Sequence, residues 1–160
     1  MAAHVDIRIA STDFVLADEY ARMRERQGGR SGAIASFVGL VRDRAEGQAV
    51  GTLELEHYPG MTERSMTAIV DQATGRWPLD DVVVIHRVGA LAAAEQIVLV
   101  LVASAHRAAA FAACMFIMDY LKTDAVLWKR EAGGAGARWI EATDEDRARV
   151  LDWSASSRER

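Results

Sequence analysis

Of the 19 basic Lys and Arg side chains in this sequence, only two are lysine, Lys122 and Lys129. Arginine serves as well as lysine on a solvated surface. It cannot serve where a primary amine must release its proton or act as a compact point donor. Two lysines seven residues apart, with none elsewhere, are therefore candidates for amine chemistry. Arg130 follows Lys129 directly, and a neighbouring cation lowers an amine's pKa toward the range useful for proton donation. The structural alternatives are ordinary: Lys122 can offset the negative end of a helix dipole, and Lys129-Arg130 can blunt an edge strand.

A second constellation is Ser104-Ala105-His106-Arg107. Placed at a helix start, where backbone N–H groups are unpaired, it makes an anion site suited to phosphate. A solvated helix start capped by Ser104 explains the same residues equally well. Arg42 and Arg44 follow the segment Phe37-Val38-Gly39-Leu40-Val41, in which Gly39 marks a close backbone approach or a bulge. His57 and His86 read as packed or hydrogen-bonded strand residues, and no two histidines have metal-ligand spacing. Cys114, the single cysteine, falls in an apolar helix, where burial raises a thiol's pKa and makes it inert. There is no P-loop and no dinucleotide fingerprint.

The elements that must position these groups follow from periodicity. Val5–Ile9 alternates as a strand. Ser11-Thr12-Asp13 offers a cap for a helix over 14–26, ended by Gly28-Gly29. Strands are expected over 33–41 and 52–58, with a polar loop or hairpin turn over 42–51. A helix over 62–77 is stopped by Pro78. The near-continuous apolar runs 82–88 and 97–103 predict central strands. Ser104 should cap a helix over 105–122, whose all-apolar middle predicts burial all round. Short strands over 126–131 and 138–142 flank Gly133–Gly136, and a last helix begins near Asp144. Strands and helices alternate imperfectly, which predicts an α+β fold with a mixed sheet. Residues 1–153 are expected to form one domain and 154–160 a disordered tail.

Composition narrows the function. A chain of 160 residues can bury a real core. Of the 51% apolar residues, 29 are alanine, so that core is lighter than the percentage suggests. A net charge of −4 disfavours nucleic acid as a partner. No apolar run is long enough to span a membrane, and the N-terminus lacks the pattern of a signal peptide. The expectation is a cytoplasmic domain without a metal.

Five blocks resemble one known family. They are Glu54-Leu-Glu-His-Tyr-Pro-Gly-Met-Thr-Glu63, Val84-Ile-His-Arg-Val-Gly89, Ser104-Ala-His-Arg107, Phe116-Ile-Met-Asp-Tyr-Leu-Lys122 and Leu127-Trp-Lys-Arg-Glu131. In this order and spacing they look like the catalytic large subunit of molybdopterin synthase, the MoaE family, over about residues 3–153. The resemblance implies an α/β hammerhead fold with an additional small antiparallel β subdomain. It implies a homodimer within a heterotetramer, whose ubiquitin-like small subunits (MoaD-type) each insert a C-terminal Gly-Gly thiocarboxylate. Sulfur then passes in two rounds to cyclic pyranopterin monophosphate, a pterin phosphate, giving the dithiolene, with no further cofactor. The resemblance makes Lys122 and Lys129 catalytic. It makes Leu40, Val41, Arg42, His106, Arg107, Lys122, Lys129, Arg130 and Glu131 substrate-binding. Relatives often carry Lys at the position of Leu40, so contact there would be through backbone or apolar side chain.

Spacing adds one geometric expectation. His106 and Lys122 lie sixteen residues apart on one predicted helix, about 24 Å along its axis at ~1.5 Å per residue. One small pocket cannot hold both from the same chain, so a shared site must draw His106 and Arg107 from a neighbouring protomer. A non-catalytic anion-binding adaptor is the alternative from another class. A phosphate-ester hydrolase is disfavoured because no metal cluster or nucleophile is visible.

Overall fold

The computed structural model describes residues 2–45, 48–133, 136–139 and 142–156. In chain order the elements are β1 (His4–Ala10), α1 (Leu16–Gln27), β2 (Ala33–Leu40), β3 (Arg44–Ala45), β4 (Gln48–His57), α2 (Met61–Arg76), β5 (Leu79–Arg87), β6 (Gly89–Ala92), β7 (Gln96–Ser104), α3 (Arg107–Thr123), β8 (Leu127–Gly133), β9 (Gly136–Trp139) and α4 (Asp144–Ser156). The α+β fold holds two sheets.

The first sheet runs β1-β5-β7-β2, with β1 parallel to β5 and the other pairs antiparallel. The two apolar runs thus form the central strands. Their continuity has a simple cause, because each strand feeds a core on both faces. Val82 and Val84 pack toward α2 and α3, with Val98, Val100 and Val102. Val83 and Ile85 pack the other way, with Leu99, Leu101 and Met23 of α1. Phe116 of α3 is the largest side chain fully buried in the first core. Its ring meets Trp77, Tyr120 and Trp153 at centroid distances of 5.3, 4.5 and 5.5 Å.

The second sheet, β3-β4-β8-β9 with β6 on β4, is antiparallel throughout and forms the expected small subdomain. Val41, Leu53, Leu55 and Leu91 make its core, and Ile97 joins it to the first sheet. Strand β6 was absent from the sequence reading. Its residues, Gly89-Ala-Leu-Ala92, carry little β signal, and pairing to Thr52–Leu55 of β4 decides their conformation.

Helix α3 departs from the burial expected of it. Phe111 and Met115, one turn apart, remain 65% and 49% exposed. The helix lies with one face on the sheet, and no described element of this protomer covers its outer side. Ser104 does not cap it. The hydroxyl is buried at the end of β7 and donates to the Pro78 carbonyl at 2.8 Å. His106 holds the N-cap position instead, without a side-chain capping bond. The cap expected from Ser11–Asp13 is also not formed. Val15 is the N-cap of α1, and the Asp13 carboxylate accepts from the Phe14 N–H and from Gln96. Gly28 does end α1, in the left-handed conformation at φ 53° that glycine adopts without strain.

Strands β8 and β9 end and begin at Gly133 and Gly136, whose Cα positions pair. Residues 134–135 between them lie outside the described residues, as do 140–141 of the strand expected over 138–142. Helix α4 runs on to Ser156, so the tail boundary expected at 153 falls within a helix. Residues 157–160 are also outside the described set. Among the described residues no helix is long and apolar enough to cross a membrane.

Candidate functional site

Lys122 closes α3 and Lys129 sits on β8. The connection between them is short and pinned. Thr62, at the start of α2, donates through Oγ1 to the Val126 carbonyl and accepts from the Tyr58 N–H. The Ser65 hydroxyl accepts from the Val126 N–H at 3.1 Å. These bonds fix where β8 begins, and with it the face that Lys129 presents.

Both lysines line the same two cavities, of about 390 and 620 Å³, and Arg42 lines both as well. The smaller is completed by Leu40, Gly39, His86 and Met118 among others. The larger extends along Trp128, Thr143 and Asp146. A third hollow of about 530 Å³, between β2 and α3, is lined by Phe37, Phe111, Met115 and again Lys122. Lys122 therefore stands where three hollows meet. Its ammonium is 4.0 Å from Asp146 Oδ1. Asp146 is itself held in a capping pair at the start of α4, exchanging backbone N–H bonds with Thr143 at 3.0 and 3.1 Å. Helix α4 is anchored to α3 through Asp119, which accepts from Arg149 and from the Trp153 indole.

The Lys129 amine is held below the usual lysine range. Burial is the largest cause, the Lys122 charge adds to it, and Asp146 opposes both. The arrangement offers a half-buried amine moved toward proton exchange, a second amine beside it, and a guanidinium at the rim. Cation-lined and partly apolar, it suits an extended anionic chain.

The other expected residues divide. Leu40 is exposed and on the cavity wall, where it offers apolar contact. Val41 is not on the wall. Its side chain is buried in the second core, and its N–H and C=O bond to Glu95 and Ala94. It fixes the chain from which Arg42 projects. Gly39 reflects protein packing: a Cβ there would lie 2.8 Å from Val98 Cγ1. Arg130 lies on β8 but lines none of these cavities, and its guanidinium is 3.8 Å from Glu54. Glu131 pairs with Leu53 through the backbone of β8, and its side chain lies outside the description. His106 and Arg107 are exposed at the far end of α3, and neither lines a cavity that Lys122 or Lys129 lines. One protomer thus brings together Arg42, Leu40, Lys122 and Lys129, and leaves His106 and Arg107 apart.

Two groups were not singled out from sequence. Asp146 gave no signal beyond its place in an acidic helix start. His86 was read as a packed strand residue. The alternation that sends Val82 and Val84 toward α3 sends His86 the same way, so strand parity alone would have found it. Cys114 is buried, and burial pushes its thiol up to about 11, which makes it unreactive. Among the described residues no group of three or more His, Cys, Asp and Glu could hold a metal ion.

Comparison with known proteins gives a consistent picture. The family model described as MoaE protein matches residues 9–124. A molybdopterin synthase catalytic subunit from Ralstonia nicotianae is 53% identical over 147 residues, covering 92% of this chain and 83% of that protein. The protein of the same name from Escherichia coli is 48% identical over 151 residues, covering 94% and 99%. The solved structure of the molybdopterin biosynthesis MoaE protein from Burkholderia ambifaria superposes with a TM-score of 0.80 at 47% identity, covering 96% of this chain and 99% of that one.

Proposed function

The chain belongs to the MoaE family, and from that premise we propose that it is the catalytic subunit of a molybdopterin synthase. In this reading it is a sulfurtransferase of molybdenum cofactor biosynthesis, working in the cytoplasm. A catalytic subunit implies a companion. The sulfur donor is the C-terminal Gly-Gly thiocarboxylate of a ubiquitin-like small subunit, and the acceptor is cyclic pyranopterin monophosphate. The one cysteine is buried and its thiol pushed up, which favours a donor outside this chain over a persulfide on it.

The observation that carries the proposal is the shared cleft. The only two lysines of the sequence come from different elements and open into the same two cavities beside Arg42. There they neutralise the anionic tail. One of them protonates a leaving oxygen or stabilises the charge of a tetrahedral or thioester-like adduct. Arg42 holds the phosphate, together with His106 and Arg107 of a second protomer. Leu40 lends an apolar wall, Val41 seats Arg42, and Arg130 and Glu131 border the substrate from β8. The composite site requires the homodimer, and the small subunits on its outer ends complete a heterotetramer.

The experiment is direct. The protein is combined with thiocarboxylated small subunit and the cyclic pterin, and the product is examined by mass. Two sulfur atoms gained by the pterin, at the expense of two thiocarboxylates, support the proposal. Unchanged pterin overturns it.

A further inference from the structure

We propose that His86 is a positioning residue of this cleft, its Nε2 accepting a hydrogen bond from the Lys129 ammonium so that the remaining N–H bonds are directed into the cavity. The inference rests on the reading of Lys129 as a residue of the sulfur-transfer site.

The geometry is as follows. His86 is the penultimate residue of β5, only 4% exposed, yet it lines the cavity of about 390 Å³ together with Arg42, Lys122 and Lys129. Its Nδ1 lies 2.8 Å from the Arg87 carbonyl. A carbonyl only accepts, so Nδ1 carries the hydrogen and the lone pair of the uncharged ring is on Nε2. Among the described residues no protein group pairs with Nε2, and a buried acceptor is normally satisfied.

The charged groups around the ring fix its state. Arg42 approaches from the segment after β2, Lys122 from α3 and Lys129 from β8, while Asp146 of α4 acts on Lys129. The neighbouring Arg87 points to the other face of β5, where it donates to the Gln96 carbonyl at 2.9 Å and approaches Asp13 and Glu95. Burial first, and then the Lys129 charge, push the His86 ring down to about 4, against its bond to the Arg87 carbonyl. The ring is therefore uncharged at neutral pH.

An uncharged acceptor has an advantage that a carboxylate lacks. It orients the ammonium without neutralising it, and so leaves the full cationic charge to an anionic substrate. It also favours the charged form of Lys129, partly offsetting the burial and the Lys122 charge that oppose it.

The test uses the two-lysine composition. Lysine labelled at Cε gives two side-chain NMR signals, which Lys122→Arg assigns. His86→Asn retains a donor for the Arg87 carbonyl and removes the acceptor at Nε2, whereas His86→Gln returns an acceptor near that point. In His86→Asn the Lys129 signal should titrate about half a pH unit or more lower. The alkaline limb of single-turnover dithiolene formation should move down with it, with turnover at pH 8 reduced about threefold or more. His86→Gln should restore both toward the parent. An unmoved Lys129 midpoint in a folded His86→Asn overturns the inference. If that variant does not fold, the Nε2 nitrogen resonance of the parent protein decides. It should shift when Lys129 is replaced by Met, and a fixed resonance refutes the contact. A parent protein that forms no dithiolene, in which His86 still governs the Lys129 midpoint, removes the sulfur-transfer reading and leaves the contact standing. An active parent with an indifferent Lys129 does the reverse.

Discussion

Mixing two inactive variants gives a quantitative test of the composite site. The perturbations are Lys122→Ala in one population of subunits and Arg107→Ala in the other. The structure sets the expected magnitude. Arg107 begins α3 and Lys122 lies in its last turn, fifteen residues or about 22 Å along the axis, and no described cavity is lined by both. If each site takes its lysines from one chain and Arg107 from the other, a mixed dimer holds one doubly damaged site and one intact site. Random pairing makes about half of all dimers mixed, so about a quarter of all sites are intact; in isolated mixed dimers the fraction is about a half. The assay is dithiolene formation with thiocarboxylated small subunit. It is run after the variants are refolded together, with differently tagged chains used to isolate mixed dimers. Recovery to near one half in those dimers supports a shared site. Mixed dimers with no more activity than either variant alone would refute the reasoning, because sites built within one chain gain nothing from pairing.

Other perturbations give further outcomes. Lys122→Arg and Lys129→Arg keep the charge but lose the compact amine, and each should lower turnover by about a hundredfold or more with an unchanged circular-dichroism spectrum; unchanged turnover removes the argument from lysine scarcity. Phe116→Ala empties the centre of an aromatic cluster at 0% exposure and should cost about 3–5 kcal/mol in urea denaturation. Acid should destabilise the protein in two stages. The folded His86 ring, pushed down to about 4 from 6.5, binds fewer protons than the unfolded ring, so its contribution is complete above pH 6.5 and lost as pH falls through about 4. The total is about 3 kcal/mol, and it is read as a falling urea midpoint that flattens in His86→Asn. Below that range Asp81 and Glu19 follow. Burial raises Asp81, but hydrogen bonds from Arg26, Gln27 and His4 outweigh it; Arg8, above all, holds Glu19 low. Both contributions are present above the ordinary carboxylate range and lost as pH falls beneath it, so Asp81→Asn should shrink the loss near pH 3.

Much of the frame was legible because hydrophobic patterning is strong where burial is two-sided. The runs 82–88 and 97–103 could only be central strands, and Gly28 and Pro78 marked helix ends through backbone restrictions. What failed had a tertiary cause. Ser104 has good capping chemistry, but a buried hydroxyl satisfies the nearest carbonyl, and that belongs to Pro78. The apolar middle of α3 predicted full burial, yet composition cannot say which side of a helix faces its own chain. Lysine scarcity pointed at Lys122 and Lys129, and the fold places them on common cavities. Scarcity said nothing about Asp146 or His86, whose places depend on the capping pair of α4 and the register of β5.

Helix α3 has a consequence for how this chain can vary. It carries His106 and Arg107 at one end and Lys122 at the other, so it acts as a gauge with a phase as well as a length. Deleting or inserting one residue within it turns everything beyond by about 100°, which would swing Lys122 off the cleft while leaving composition and helicity almost unchanged. Exchanges along its outer side are cheap by comparison. Tolerance in this segment is therefore asymmetric: free in letter on one face, fixed in count throughout.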